Sequence, residues 1–432
     1  MVTRRVENLI KNGATKYQPV ENMKAKSLSD VYDIFDPQEA LSGEKLKEYY
    51  VKRESPIDRH ANALRSSKRP LKYLFVGSRG NGKSTELNRL SELLGDDLLI
   101  VPFSIRDKLN LYDIEYSDIL LIIAAEIHKK VSENVELSKE LSGYLDNWSE
   151  KVIENVERLG LSGEVKAGFS AIFLNITGKM KTEATTREIT RKVIQPRLSD
   201  LIDAVNKIII EAEEKLDKNI LVIIDDLDKV NLEKGEELFY VHGAELTSPI
   251  CKIIYTIPQP LLFSNKIRQI VNQYFDGHIN LGNITIYDRH GEPDPEDCDL
   301  MKNVALKRMD ESLISEDALN LAVGYSAGVM TEFIRIIRSA GNIANTDDRG
   351  QVKLSDVKQS IADIKNDYIR ILGPDDIKIL KDVTKMKGKI DGDKFQDLLF
   401  SLAIFEYSND EVWYDIHPAI KGIIERAEAG KE

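Results

Sequence analysis

The chain has 432 residues, 42% of them hydrophobic and 31% charged, with a net charge of −12. That length predicts two to four domains around a large core, and the acidic balance argues against broad, sequence-independent binding to nucleic acid. No apolar run reaches membrane-spanning length, no secretory leader is read, and Cys251 and Cys298 lack metal-ligand spacing, so a cytoplasmic protein with no membrane partner is expected.

Residues 1–60 hold few periodic signals and several breakers, among them Gly13, Pro19, Pro37, Gly43 and Pro56, which predicts an arm wrapped onto the core. An apolar run at 71–76 (LKYLFV) has strand length and ends on Gly77. Then come Gly77-Ser78-Arg79-Gly80-Asn81-Gly82-Lys83-Ser84, a full match to the phosphate-cradling pattern G-x-x-x-x-G-K-[ST]. Residues 83–94 put Leu87, Leu90 and Leu94 on one helical face, with Gly95 as the stop. A strand, a glycine loop and a helix in that order aim backbone N–H groups and a positive helix end at one point, as a triphosphate requires. The amides of Gly80 to Ser84 are expected to cradle the phosphates and Lys83 to reach the β- and γ-oxygens. The Ser84 hydroxyl is the expected Mg²⁺ ligand, and Thr85 the residue nearest the α-phosphate.

Further strands are predicted at 98–103, 220–224, 253–257 and 278–287, with helices between them, which gives an α/β core with a mainly parallel sheet. The long gap between the second and third strands implies an insertion at about 107–190. It is expected to hold a helical section (112–156) and a β-hairpin at 162–181. Residues 186–216 then read as one long helix kinked at Pro196. The third strand (LVIID) carries Asp225 at its end, followed by Asp226, Leu227 and Asp228. Asp225 is the candidate for holding Mg²⁺ and Asp226 for orienting or deprotonating the attacking water, with Asp228 as a helix N-cap. Thr256, at the end of the fourth strand, is placed either to sense the γ-phosphate or simply to fill the sheet.

Residues 289–299 read as a polar linker, followed by helices at 300–309, 315–323, 329–340 and 355–372. Ser315 and Ser355 are expected N-caps, and Gly341 the stop of the third helix. After Gly373-Pro374, helices at 375–387 and 393–402, a hairpin at 404–416 and a closing helix from His417-Pro418 form the pattern of a winged helix. The units expected are an arm (1–60), a P-loop core (61–290), a helical lid (291–372) and a winged helix (373–432).

Taken together, these parts resemble the STAND class of P-loop ATPases, which includes the NOD modules of innate immune receptors, and its relatives, the AAA+ ATPases of the origin-recognition type. The resemblance covers roughly residues 45 to 425. Tyr50-Val51-Lys52-Arg53-Glu54 is similar to the F-V-G-R-E element that lines the adenine pocket, which marks Val51 and Arg53 as nucleotide contacts. Residues 223–228 resemble the Walker B segment h-h-D-D-h-D. Residues 414–418 (YDIHP) are similar to the M-H-D-type motif, which implies that His417 contacts the β-phosphate of ADP; the plain alternative is a histidine capping the closing helix. Residues 324–338 resemble the sensor-2 helix of the lid, but Thr331 stands where AAA+ relatives carry arginine, and the proline of STAND relatives is missing near Val329. Arg335 or Arg338 are the substitutes to consider, and Arg187, Arg268 and Arg289 the candidate arginine fingers.

The resemblance implies an ATP- and Mg²⁺-dependent regulatory switch that moves lid and winged helix, binds and releases ADP, and acts on an effector or sensor protein in trans or through a nucleotide-dependent homo-oligomer. A compact prokaryotic ATPase working in antiviral defence fits that build. The alternative is a DNA-binding initiator-like ATPase. Against it, residues 374–432 hold nine Lys/Arg against thirteen Asp/Glu, and the wing carries Glu406, Asp410, Glu411 and Asp415.

Overall fold

The computed structural model describes residues 24–158, 178–263, 265–408 and 411–429, together with Phe169. Five strands form one parallel sheet in the order β2-β3-β4-β1-β5: β1 Lys72–Val76, β2 Leu99–Ser104, β3 Ile220–Asp225, β4 Lys252–Thr256 and β5 Gly277–Asn280. Leu74, Val222, Ile224, Ile253 and Tyr255 are buried against the helices Tyr116–Ser132 and Leu198–Leu216 on one face. Phe75, Leu221, Ile223 and Ile254 are buried on the other face, against Leu64, Leu87 and Leu90. Burial on both faces is why β1, β3 and β4 read as continuous apolar runs without alternation. Parallel strands place their carboxyl ends on one edge, so the loops after β1 and β3 meet there.

Two of the sequence expectations change shape in this core. The fifth strand is shorter than 278–287: it ends at Asn280, and the chain then runs irregularly, with Ile284 N–H donating to Gly328 O at 3.3 Å. The long helix is two helices, Ala184–Ile194 and Leu198–Leu216, joined by a 3₁₀ turn over Gln195–Arg197 that contains Pro196. The missing N–H of proline opens the ladder there and the chain tightens to bridge it. The β-hairpin expected at 162–181 falls mostly outside the described residues, and its last residues belong to a helical stretch at 178–182.

The lid helices are Pro295–Leu306, Glu316–Ser326, α3 (Met330–Thr346) and Leu354–Ile371, the label α3 following α1 (Leu28–Ile34) and α2 (Lys83–Leu94). Ser315 occupies the N-cap of the second lid helix, whereas Lys353, and not Ser355, occupies that of the fourth, where the Asp356 carboxylate accepts from Lys353 N–H at 2.8 Å. Residues 24–66 hold three further helices, Leu28–Ile34, Gly43–Tyr49 and Ile57–Ser66. Leu28, Val31 and Phe35 of this arm join the core of the lid, beside Phe333 and Ile337. Gly341 does not stop α3, which runs on to Thr346. Its lack of a side chain has another use, since a Cβ there would stand 2.9 Å from Val31 Cγ1. The glycine lets α1 press against α3. A Gly341→Leu variant should therefore lose about 1–3 kcal/mol in urea unfolding, as overpacked cores do.

The tail follows the expected order: helix Pro374–Met386, α4 (Asp393–Phe400), antiparallel β6 (Ile404–Ser408) and β7 (Val412–Ile416), and α5 (Pro418–Ala429). The architecture is thus a P-loop NTPase sheet with a helical lid and a winged-helix tail. Leu380, Leu398, Ile404 and Ile420 of the tail share one apolar cluster with the lid.

Candidate functional site

The phosphate loop leaves the buried end of β1 and enters α2 at Lys83, as the strand–glycine–helix pattern demands. Gly80 has φ +76°, and a Cβ on it would stand 2.6 Å from Thr331 Cβ, so only glycine fits between loop and lid. The Gly80 carbonyl accepts both the Thr331 amide, at 2.8 Å, and the Thr331 hydroxyl, at 3.0 Å. Lys83 is 5% exposed; its ammonium donates to Gly77 O (2.9 Å) and Ser78 O (2.8 Å) and forms an ion pair with the Asp228 carboxylate at 2.9 Å. Asn81 is fully buried; its side-chain Nδ2 donates to Leu281 O, while its backbone carbonyl accepts from Arg53 at 2.9 Å. A second Arg53 hydrogen bond reaches Gly282 O, so the predicted adenine-side arginine braces the loop from behind.

Asp225, Asp226 and Asp228 bring carboxylate oxygens within 4.8 Å of one another. Asp225 is hydrogen-bonded to the Ser84 side chain. Burial, and then the neighbouring Asp228, push its carboxyl above the ordinary range. A hydroxyl beside a buried carboxylate cluster is an oxygen donor set suited to a small hard cation such as Mg²⁺. Asp226 behaves differently. Its backbone is left-handed (φ +69°), and its carboxylate lies against the Ser104 hydroxyl, the Lys229 ammonium and, at 3.6 Å, Arg106 Nε. Burial alone would raise its carboxyl, but Lys229 and Ser104 hold it below the ordinary value. Its carboxylate is thus engaged by Ser104, Lys229 and Arg106, contacts that the expected role of orienting or deprotonating a water would have to share. Asp228 is no N-cap: that position belongs to Asp226, and Asp228 pairs with Lys83.

A cavity of about 440 Å³ opens over the loop. Its polar lining comes from Gly80 to Thr85 with Asp228, Lys229 and Arg106, and its apolar lining from Tyr49, Val51, Val304, Met330 and Ile334. The arm closes it: Leu41 N–H donates to the Thr85 hydroxyl at 3.1 Å, and Asn88 donates to Leu41 O at 2.9 Å. Thr85 thus spends an acceptor on the arm rather than facing a phosphate alone. A phosphate-binding lining and an apolar lining in one cleft match the two halves of a nucleotide.

Two candidates lie elsewhere. Thr256 is fully buried within the sheet, where its hydroxyl accepts from Leu227 N–H at 3.0 Å and donates to Ile224 O at 3.3 Å. It pins the turn after β3 and does not border the cavity, which corrects its placement as a γ-phosphate sensor. His417 is 1% exposed and also lies off the cavity. Its Nδ1 accepts from Ala419 N–H at 3.1 Å and its Nε2 lies 3.4 Å from the Glu332 carboxylate. The histidine therefore caps α5 and ties it to the lid; a β-phosphate contact is not what this arrangement offers. Arg335 pairs with Glu332, and Arg338 with Asp36 at 3.4 Å, so neither takes the place of the missing sensor arginine. Arg187 is buried against Asp113, and Arg289 pairs with Glu411 at 3.3 Å on the tail. The Arg268 side chain lies outside the described residues.

A buried polar network that the sequence did not announce runs from the loop to the wing. The Ser78 hydroxyl donates to Gln259 Oε1 at 2.9 Å and accepts from Asn283 Nδ2 at 3.0 Å. Gln259 Nε2 donates to the Glu406 carboxylate at 2.9 Å, Asn283 Nδ2 also reaches Glu406 O at 3.0 Å, and the Tyr414 hydroxyl donates to Glu406 at 2.8 Å. Glu406 is therefore not a surface acid of the wing, as its place in the hairpin suggested, but the buried centre of its docking. Arg79 adds a second link, its guanidinium 4.2 Å from the centroid of the Phe400 ring on α4.

No family model matches the sequence, and no curated protein matches it. Among solved structures the chain is similar to Cdc6p from Pyrobaculum aerophilum, at 14% identity and a TM-score of 0.39, over 92% of this chain and 98% of that one. It is also similar to the Aeropyrum pernix ORC1 protein in complex with DNA, at 15% identity and a TM-score of 0.43, over 92% and 96%. The Thermotoga maritima RuvB Holliday junction branch migration motor matches at 12% identity and a TM-score of 0.38, over 93% and 98%.

Proposed function

We propose that this chain is an ATP-binding and ATP-hydrolysing switch that couples its nucleotide state to the position of its lid and winged helix. One observation carries the reading: the phosphate loop is tied to both parts at once, to the lid directly through Gly80 and Thr331, and to the wing one residue removed, through Ser78 to Gln259 and Asn283 and from these to Glu406. A loop that closes on a phosphate alters the geometry of its own carbonyls and hydroxyls, so it would alter both contacts. In this reading Lys83 binds the β- and γ-phosphates, Ser84 and Asp225 hold Mg²⁺, and the apolar lining beside Val51 takes the base. We take residues 61–290 as the core, 291–372 as the lid and 373–432 as the winged helix. The output passes to a partner in trans or to self-assembly, and the resemblance to STAND ATPases sets this in prokaryotic antiviral defence.

Hydrogen exchange with ADP and with a non-hydrolysable ATP analogue tests the switch. The amides of β6, β7 and the start of α3 should exchange at different rates in the two complexes. Identical protection in both, with both nucleotides bound, would leave an ATPase without a switch.

A second reading, duplex DNA binding by the winged helix, gains from the correction at Glu406. Asp415 pairs with Lys387 at 2.7 Å and with Lys421 at 3.7 Å, and Glu411 pairs with Arg289, so the described acids of the wing present less free charge than their number implies. Tight, salt-sensitive retardation of duplex DNA would favour it.

A further inference from the structure

The position of the usual lid arginine is held by Thr331, and both its donors are spent on Gly80 O. The end of the cavity beyond Lys83 nevertheless needs positive charge if it is to distinguish a triphosphate from a diphosphate. Among the described residues, six cations border the cavity: Arg53, Arg79, Lys83, Arg106, Lys229 and Arg308. Arg53 is committed to Asn81 O and Gly282 O, and Arg308 donates to Val304 O at 2.7 Å near the base end. Arg79 lies over Phe400. Lys83 holds the loop, and Lys229 is bound tightly to Asp226.

Arg106 is the exception. It stands just past the end of β2, half exposed, and touches protein charge only through Nε, 3.6 Å from Asp226. Its two terminal NH₂ groups make no hydrogen bond among the described residues. The sheet order sets β2 beside β3, so this guanidinium borders the same end of the cavity as Asp228, the partner of Lys83. Asp226 and Asp228 belong to one carboxylate cluster within 4.8 Å, so Arg106 stands across that cluster from Lys83, where the last phosphate of a bound triphosphate would lie.

We propose that Arg106 is the chain's own γ-phosphate arginine, acting within one molecule, with Asp226 as the residue that positions it. The left-handed backbone at Asp226 swings that carboxylate toward the end of β2, where Ser104 and Lys229 hold it in place. The carboxylate anchors Nε and leaves the planar fork of the guanidinium free for two phosphate oxygens, a match that lysine cannot reproduce. ADP has no phosphate at that point, so Arg106 discriminates between the nucleotides and stabilises charge during cleavage. The inference rests on the ATP reading above.

The test compares Arg106→Ala, Arg106→Lys, Lys83→Ala and the parental protein, by calorimetry with ADP and a non-hydrolysable ATP analogue and by phosphate release. Arg106→Ala should bind ADP within about twofold of the parent, bind the analogue at least about tenfold more weakly, and lose about 100-fold or more in turnover. Arg106→Lys should fall between. Mixing Arg106→Ala with Lys83→Ala should restore no turnover, because an arginine acting in cis cannot complement a neighbour. Parental affinities and rate in Arg106→Ala, or activity restored by mixing, would overturn the proposal. If the parent shows no turnover, the ratio of the two affinities alone decides. Unchanged nucleotide binding by Lys83→Ala would instead overturn the ATP reading itself.

Discussion

Lys83→Ala should abolish binding of both ADP and ATP, and should do so for a reason that is separable from folding. The ammonium is buried, donates to Gly77 O and Ser78 O, and is paired with the Asp228 carboxylate. Removing it deletes the loop's own charge, the one placed between the β- and γ-oxygens. It also leaves Asp228, itself 5% exposed, without its counter-charge. Breaking one side of a buried pair costs about 3 kcal/mol, so a drop in thermal stability is expected alongside the binding defect. The double variant Lys83→Ala/Asp228→Asn separates the two effects. It should recover much of the lost stability, because no uncompensated carboxylate remains, yet recover no nucleotide binding. A single variant that binds ADP at parental affinity in calorimetry would end the nucleotide reading.

The parts of this site that were legible from the sequence are those that lie together in the chain. The strand at 71–76, the glycines, Lys83 and Ser84 declare themselves because their geometry is local, and the acid-tipped strand ending at Asp225 does so for the same reason. Direction within the acid cluster was not legible. A left-handed φ at Asp226 turns its carboxylate to Ser104, Lys229 and Arg106 and hands the Lys83 contact to Asp228. No spacing rule encodes that turn. Contacts between distant residues were hidden for the same reason. Thr331 meets Gly80 across 251 positions, and Glu406 meets Gln259 across 147. For Glu406 a signal was present and went unused. Residues 404–407 are buried without alternation, and an unbroken run of bulky residues in a hairpin marks a strand covered on both sides. A glycine late in a helix often marks its stop, which is the expectation Gly341 raises. Here the close approach of Val31 explains it instead.

Glu406→Ala should detach the wing from the core while leaving the phosphate loop able to bind nucleotide. The carboxylate accepts from Gln259 at 2.9 Å and from the Tyr414 hydroxyl at 2.8 Å, and alanine would leave both donors buried without a partner. At about 1–3 kcal/mol for each of the two orphaned donors, the loss should be about 2–6 kcal/mol, a large share of what holds two units together. Hydrogen exchange should show it as faster exchange over β6 and β7 with little change in the sheet, and bound ADP should leave faster if wing docking closes the loop. The same residue predicts a dependence on pH. Burial pushes the Glu406 carboxyl above its ordinary value of 4.5, so the docked wing binds that proton more tightly than the released wing does. Docking is then fully favoured below that ordinary value and weakens as pH rises through the higher, docked one. Tyr414, the other titratable group on the network, is pushed upward, by burial first and then by Glu406, and stays protonated throughout. Glu406→Gln keeps the shape and removes the titration, so wing protection should become flat with pH in that variant while it declines in the parent. Equal pH profiles in the two would mean that the carboxyl does not govern docking. Unchanged exchange and unchanged ADP release in Glu406→Ala would mean that Ser78 carries nothing to the wing.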